Sequence, residues 1–134
     1  MNKILLTAII GFTFISFQLS AQETFKSTEG DTTYLMQKYF MCFLSRGNSE
    51  KFDSTQLVDI QLRHLNYLNN LAKNGKISIA GPFADDGDVR GIVIYNVATL
   101  NEAVELQNED PAVKSGILKS EIRPWWSAKG SALK

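Results

Sequence analysis

An α+β sandwich built on one antiparallel sheet is the fold class this chain predicts, and three observations predict it. Two segments, opening at Asp53 and Thr99, combine N-capping residues with apolar positions at helical spacing. Four others, Tyr34–Ser45, Ile77–Ala80, Gly91–Val97 and Ile117–Pro124, are dense in aliphatic, β-branched or aromatic residues and predict strands. Their order is strand, helix, strand, strand, helix, strand. Crossover helices between strands of one sheet settle on a single face, the split βαβ arrangement, and leave the other face open.

Each element has a local reason. Residues 22–33, rich in Thr, Ser and Glu, predict a flexible lead-in. Tyr34–Ser45 suits a strand buried on both faces, and Arg46-Gly47-Asn48-Ser49 breaks it. Asp53 with Gln56 gives a capping box, and Phe52 and Leu57 fall where a hydrophobic staple would place them. At about 100° per residue, Leu57, Ile60, Leu65, Leu68, Leu71 and Ala72 gather on one side of the helix. Asp59, Arg63, Asn66, Asn70 and Lys73 fall opposite, and Gly75 supplies the left-handed stop. Ile77–Ala80 is a short strand ending at Gly81-Pro82. The Asp85-Asp86-Gly87-Asp88 cluster is then a hairpin connection with Asp86-Gly87 as its tight turn. Thr99 and Glu102 predict a second capping box ahead of Leu100, Ala103, Val104 and Leu106. Asp110 before Pro111 ends that helix and opens a brief turn closed by Gly116. The last strand leads into Trp125-Trp126, and residues 127–134 predict a flexible tail.

Residues 1–21 stand outside the fold. Lys3 is their only charge, Ile4–Phe17 is almost wholly apolar, and Gln18-Leu19-Ser20-Ala21 gives a small, polar exit. That is the layout of a secretory signal peptide, cut after Ala21 or Ser20. The apolar run is shorter than the roughly 20 residues that span a bilayer comfortably, which disfavours a retained anchor. The expected product is soluble and exported, periplasmic in a Gram-negative source, with no membrane attachment after cleavage. About 110 residues remain, enough for one domain at 34–126 with one modest core.

Composition excludes several functions. With Lys3 removed, 13 basic residues face 14 acidic ones, and no basic stripe with interleaved aromatics exists, so nucleic acid is disfavoured. Cys42 is the only cysteine, which rules out an internal disulfide and predicts a buried small hydrophobe. One His and one Cys make a poor metal site, and the Asp85-Asp86-Asp88 cluster lacks the distal Glu and spacing of a calcium loop. No metal and no cofactor are expected.

The candidate chemistry rests on His64, the only histidine, which falls inside the apolar arc of the first helix. There it is either a general acid/base or a core histidine satisfied by a backbone carbonyl. Asp110 could orient the imidazole, cap the turn at Pro111, or do both. Gly81 and Pro82, with Phe83 and Asp85 beside them, form a bend where a backbone N–H could face a ligand anion; a hairpin entrance explains them as well. Trp125 and Trp126 could line an aromatic pocket or pack at a dimer contact or sheet edge. The open sheet face is apolar, which predicts a partner, and sheet-to-sheet homodimerisation is the simplest one.

His64-Leu65 with Tyr67, Leu68 and Leu71, then Gly75-Lys76, then Ala80 through Asp88, form an ordered series of motifs. Arg90-Gly91, Glu102-Ala103, Asp110-Pro111-Ala112-Val113 with Gly116, and Arg123-Pro124-Trp125-Trp126 continue it. This series resembles the YCII-related (YciI-like) family across roughly Tyr39 to Trp126. The resemblance implies a ferredoxin-like α+β fold of the dimeric α/β-barrel group, usually a homodimer with a pocket between sheet and helices. It implies a His-Asp site, falling on His64 and Asp110, and places the family's Gly-Pro motif on Gly81-Pro82. Some members are dehydrochlorinases of chlorinated hydroxyquinols. The export segment departs from many relatives and argues against a cytoplasmic pathway role.

Two functional readings follow. In one, the protein is a small lyase or isomerase moving a proton on an aromatic or enol-type molecule, with His64 as base and Asp110 as its orienter. In the other, it is an exported ligand-binding or structural homodimer without turnover. A heme-degrading relative of the same fold group is a third, weaker reading, since His64 alone would have to serve as axial ligand.

Overall fold

A computed structural model describes residues 21–133. The expected signal peptide, 1–21, lies outside them but for its last residue. The elements run β1 (Thr24–Glu29), β2 (Thr32–Arg46), α1 (Ser54–Lys73), β3 (Ile77–Pro82), β4 (Val89–Tyr95), α2 (Leu100–Glu109), α3 (Pro111–Lys114) and β5 (Leu118–Ala128). All five strands form one antiparallel sheet. β2 is its spine. β5 lies along one edge of β2, pairing Met36–Arg46, while β1 and β4 follow each other along the other edge. β3 closes the β4 side. Without β1 the order is β5-β2-β4-β3 and the chain path is βαββαβ, a ferredoxin-like α+β fold.

Alternation along the strands decides the two faces. Phe40, Cys42 and Leu44 of β2 sit opposite Tyr95, Val93 and Gly91 of β4. These residues are buried, and with Ala103 of α2 they form the core, against which Leu68 and Leu71 of α1 and Leu106 of α2 pack. Both long helices therefore cover one face. The other face carries Met41, Phe43, Ile79, Ile92 and Trp125, and its Tyr39–Ile94 portion shares a hollow with Ser131, Ala132 and Leu133 at the C-terminus.

The helix ends follow the local chemistry. At α1 the Asp53 carboxylate accepts from the Gln56 N–H while the Gln56 side chain accepts from the Asp53 N–H, a complete capping box. At its other end Gly75, at φ 70°, donates to Ala72 O, and Lys76 donates to Leu71 O, the Schellman arrangement. The α2 start is half of its expectation: Thr99 Oγ1 accepts from the Glu102 N–H, but the Glu102 carboxylate is turned to Lys76 Nζ instead of closing a box.

Five expectations are corrected. Residues 22–33 are no flexible lead-in: they hold β1 and the start of β2, joined by the two-residue turn Gly30-Asp31 with Gly30 at φ 57°. The tail is also partly ordered, because β5 continues to Ala128 and the Lys129 N–H donates to Leu35 O. Gly81-Pro82 ends inside β3 rather than starting the turn. Asp86-Gly87 is not a tight left-handed turn, since Gly87 keeps an ordinary φ; Arg90 holds the longer loop by donating to Asp85 O, Gly87 O and the Asp86 carboxylate. Finally, Leu65 and Ala72 are exposed, so the buried stripe of α1 is narrower than its apolar arc. Leu65 is uncovered because a cavity opens beside it.

Candidate functional site

The site starts with a chain reversal. Asp110, extended at φ −60° and ψ 123°, ends α2 and caps α3. Pro111 follows at the first helical position, where its missing N–H costs nothing. The Asp110 Oδ1 accepts from the Ala112 N–H at 2.9 Å, which fixes the carboxylate in place. The side chain is wholly buried. A buried carboxylate needs more than one partner, and the second comes from α1.

His64 lies one turn beyond Ile60, on the buried stripe of α1, and its Nδ1 is 2.8 Å from both Asp110 oxygens. Two sequence-distant groups thus meet in the layer between helices and sheet. The carboxylate accepts the Nδ1 proton, which selects the tautomer that leaves Nε2 with a free lone pair. The remaining 8% exposure of the His64 side chain opens on a cavity of about 400 Å³ between α1 and the β3–β4 end of the sheet. Leu44, Leu65, Leu68, Val93 and Leu118 give it apolar walls.

Asp110 marks its surroundings electrostatically. Burial pushes the Cys42 thiol up to about 12, and the Asp110 charge adds to that rise. Burial and then the same carboxylate raise the Tyr67 hydroxyl, which donates to Leu106 O at 2.6 Å. Tyr95 is raised by burial first, with Cys42, Tyr67 and Asp110 contributing, and its hydroxyl donates to Gln107 Oε1 at 2.7 Å. Cys42 is therefore a neutral, buried thiol, not a nucleophile.

The sequence-predicted residues divide. His64 and Asp110 are in contact, and Gly81 and Pro82 line the cavity. Phe83 and Asp85 are not part of its wall: both lie in the exposed loop after β3, and Asp85 contributes a backbone carbonyl to Arg90. Sequence reasoning missed Gln61, Asn69 and Arg90 as lining residues. Gln61 had a signal, as a polar side chain inside an apolar helical arc. Arg90 had only its place beside Gly91, where a Cβ would stand 2.6 Å from Gly81 O and force the β3–β4 pairing apart. Among the described residues no cluster of His, Cys, Asp or Glu could hold a metal ion.

The YCII-related domain pattern matches residues 39–126, spanning the site and all of the sheet except β1 and the ends of β2 and β5. The chain belongs to the YCII-related domain family. No curated protein matches it. Among solved structures, the chain is similar to TftG, the 5-chloro-2-hydroxyhydroquinone dehydrochlorinase of Burkholderia phenoliruptrix, determined in complex with 2,5-dihydroxybenzoquinone. The identity is 24% and the TM-score 0.50, over 65% of this chain and 92% of that one. At this identity the likeness establishes the fold. In this YCII-related domain the added β1 and the extended β2 make the sheet longer than the matched region.

Proposed function

We propose that the protein is a small-molecule lyase or isomerase in which His64 is the general base and Asp110 its orienter. The observation that carries this reading is the buried His64–Asp110 contact at the wall of a cavity large enough for a single aromatic ring. His64 Nε2 takes a proton from an acidic C–H or O–H of the substrate. The released electron pair forms a new C=C or C=O bond. In an elimination a leaving group such as chloride departs with its own electron pair; in an isomerisation His64 returns the proton to a different atom. TftG, with its hydroquinone chemistry and bound dihydroxyquinone, supports an aromatic or enol-type substrate.

The test is a thermal-shift and turnover screen of 2,5-dihydroxybenzoquinone, catechols, quinols and enol lactones. His64→Ala is expected to lower turnover by at least about 100-fold. Full turnover in His64→Ala overturns the reading.

The non-catalytic alternative draws on one observation: Asp110 caps α3, so its burial has a structural reason independent of chemistry. Binding without turnover across the whole panel would favour it. The apolar face opposite the helices supports a homodimer, and a monomer by light scattering at micromolar concentration would remove that part. Export with cleavage after Ala21 is tested by the N-terminus of the protein recovered from the periplasm.

A further inference from the structure

The cavity has a chemical polarity that the His64–Asp110 pair does not explain. Among the described residues its wall contains one Asp, Glu, Lys or Arg, and that residue is cationic: Arg90. Two carboxamides, Gln61 and Asn69, add donors, and no Asp or Glu belongs to the wall. Asp110 is shielded behind His64, with no exposed surface of its own.

Arg90 reaches this position through an irregularity in the sheet. Leu44 pairs with Gly91 but Ser45 pairs with Val89, so β4 carries one extra residue, Arg90, opposite the β2 ladder. A bulge of this kind breaks the two-residue alternation and re-aims a side chain. Regular alternation would send Arg90 to the open face with Ile92. Instead it borders both the His64 cavity and an adjoining hollow lined by Leu57, Ile117 and Leu118 on the helix side. Its side chain is about two-thirds buried, with 32% exposure.

The guanidinium is anchored but not consumed. All of its protein contacts run through NH1, to Asp85 O, Gly87 O and the Asp86 carboxylate. Nε and NH2 have no partner among the described residues. Asp86 is itself shared with Arg46 and is 91% exposed, so its charge is spread over two arginines and screened by solvent. A planar fork with two free donor positions matches a carboxylate or an ionised enol oxygen.

We propose that Arg90 is the specificity-determining residue of the His64 cavity and that its ligand is an anionic ring compound, carrying a carboxylate or an ionised hydroxyl toward β4. This rests on the cavity being the substrate site, but not on any reaction occurring there. The bulge puts Arg90 in the cavity wall on the β4 side while His64 lines the helix side, so the two functions act on different parts of one ligand.

The probe pair is 2,5-dihydroxybenzoate against hydroquinone, the same ring with and without a carboxylate, measured by calorimetry on the full mature chain. Wild type is expected to prefer the acid by about tenfold or more, the worth of one charge-assisted hydrogen bond. Arg90→Gln should remove that preference and leave hydroquinone affinity within about twofold. Because Arg90 also holds the 83–88 loop, Asp86→Asn serves as the second variant. It removes a competing anion without touching the cavity, and acid affinity should rise about two- to fivefold at low salt. Equal binding of the two probes, no binding of the acid, or no gain in Asp86→Asn overturns the proposal. His64→Ala separates the readings: retained acid binding with lost turnover leaves both standing. Retained binding with unchanged turnover sinks the catalytic reading alone.

Discussion

Two aspartates in this protein each bridge two partners, and their settings are opposite. Asp110 joins His64 to the Ala112 N–H with no exposed surface, whereas Asp86 joins Arg46 to Arg90 with 91% of its side chain in water. The first carboxylate acts at a distance, helping burial to raise Cys42, Tyr67 and Tyr95. The second sits in a medium that screens it, where an ion pair of good geometry contributes little. The dielectric around them separates the two, and it decides which contact can tune chemistry and which only tethers a loop.

Removing the buried acid should therefore have the largest effect. Asp110→Ala strands His64 and uncaps α3, and a loss of about 3–5 kcal/mol is expected in urea unfolding. Asp110→Asn retains an acceptor for the Ala112 N–H and should lose clearly less. If Asp110→Asn melts like the wild type while Asp110→Ala does not, the cap is the whole of the Asp110 role and the comparison fails.

Alkaline pH sharpens the same contrast. The Cys42 thiol, raised from 9.0 to about 12 in the folded protein, stays neutral there while the unfolded chain ionises at its ordinary value. Its contribution is fully present below pH 9 and is lost as pH rises toward 12, with a slope of about 1.4 kcal/mol per unit. Cys42→Ala should lack that slope when the two stability curves are subtracted. Native Cys42 should also resist iodoacetamide at pH 8 and react only after denaturation.

The Tyr95–Gln107 contact is buried but uncharged, and comes next. Gln107 Nε2 has no partner among the described residues, so the amide is already half-satisfied. Tyr95→Phe should cost about 1–2 kcal/mol, and adding Gln107→Leu should restore most of it, because removing both partners leaves nothing unpaired. The smallest effect belongs to the exposed cluster: Arg46→Ala should change stability by about 0.5 kcal/mol or less, measured as a shift in urea midpoint.

Much of the fold was legible in local patterns. The Asp53–Gln56 box and the Gly75 stop bound α1 within a residue, because capping is a matter of neighbours. β1 was hidden for a complementary reason: its side chains are nearly all exposed, so no apolar alternation marks it. The Gly30-Asp31 pair between two Thr-rich runs was the usable signal. For the site, His64 and Asp110 were readable as a lone imidazole and a helix-start acid. Arg90 was not, since a bulge is set by pairing with β2 and has no residue of its own to announce it.

By itself the sequence determined the helices, their stops, the four main strands and the pair of residues capable of proton chemistry. These follow from capping, periodicity and backbone preference, all of which act within a few residues. The tertiary structure alone decided that the imidazole and the acid touch, that β1 joins the sheet, and that an arginine stands at the cavity edge. Those outcomes depend on register and on which side chains lose their water, and neither quantity exists until distant segments pack.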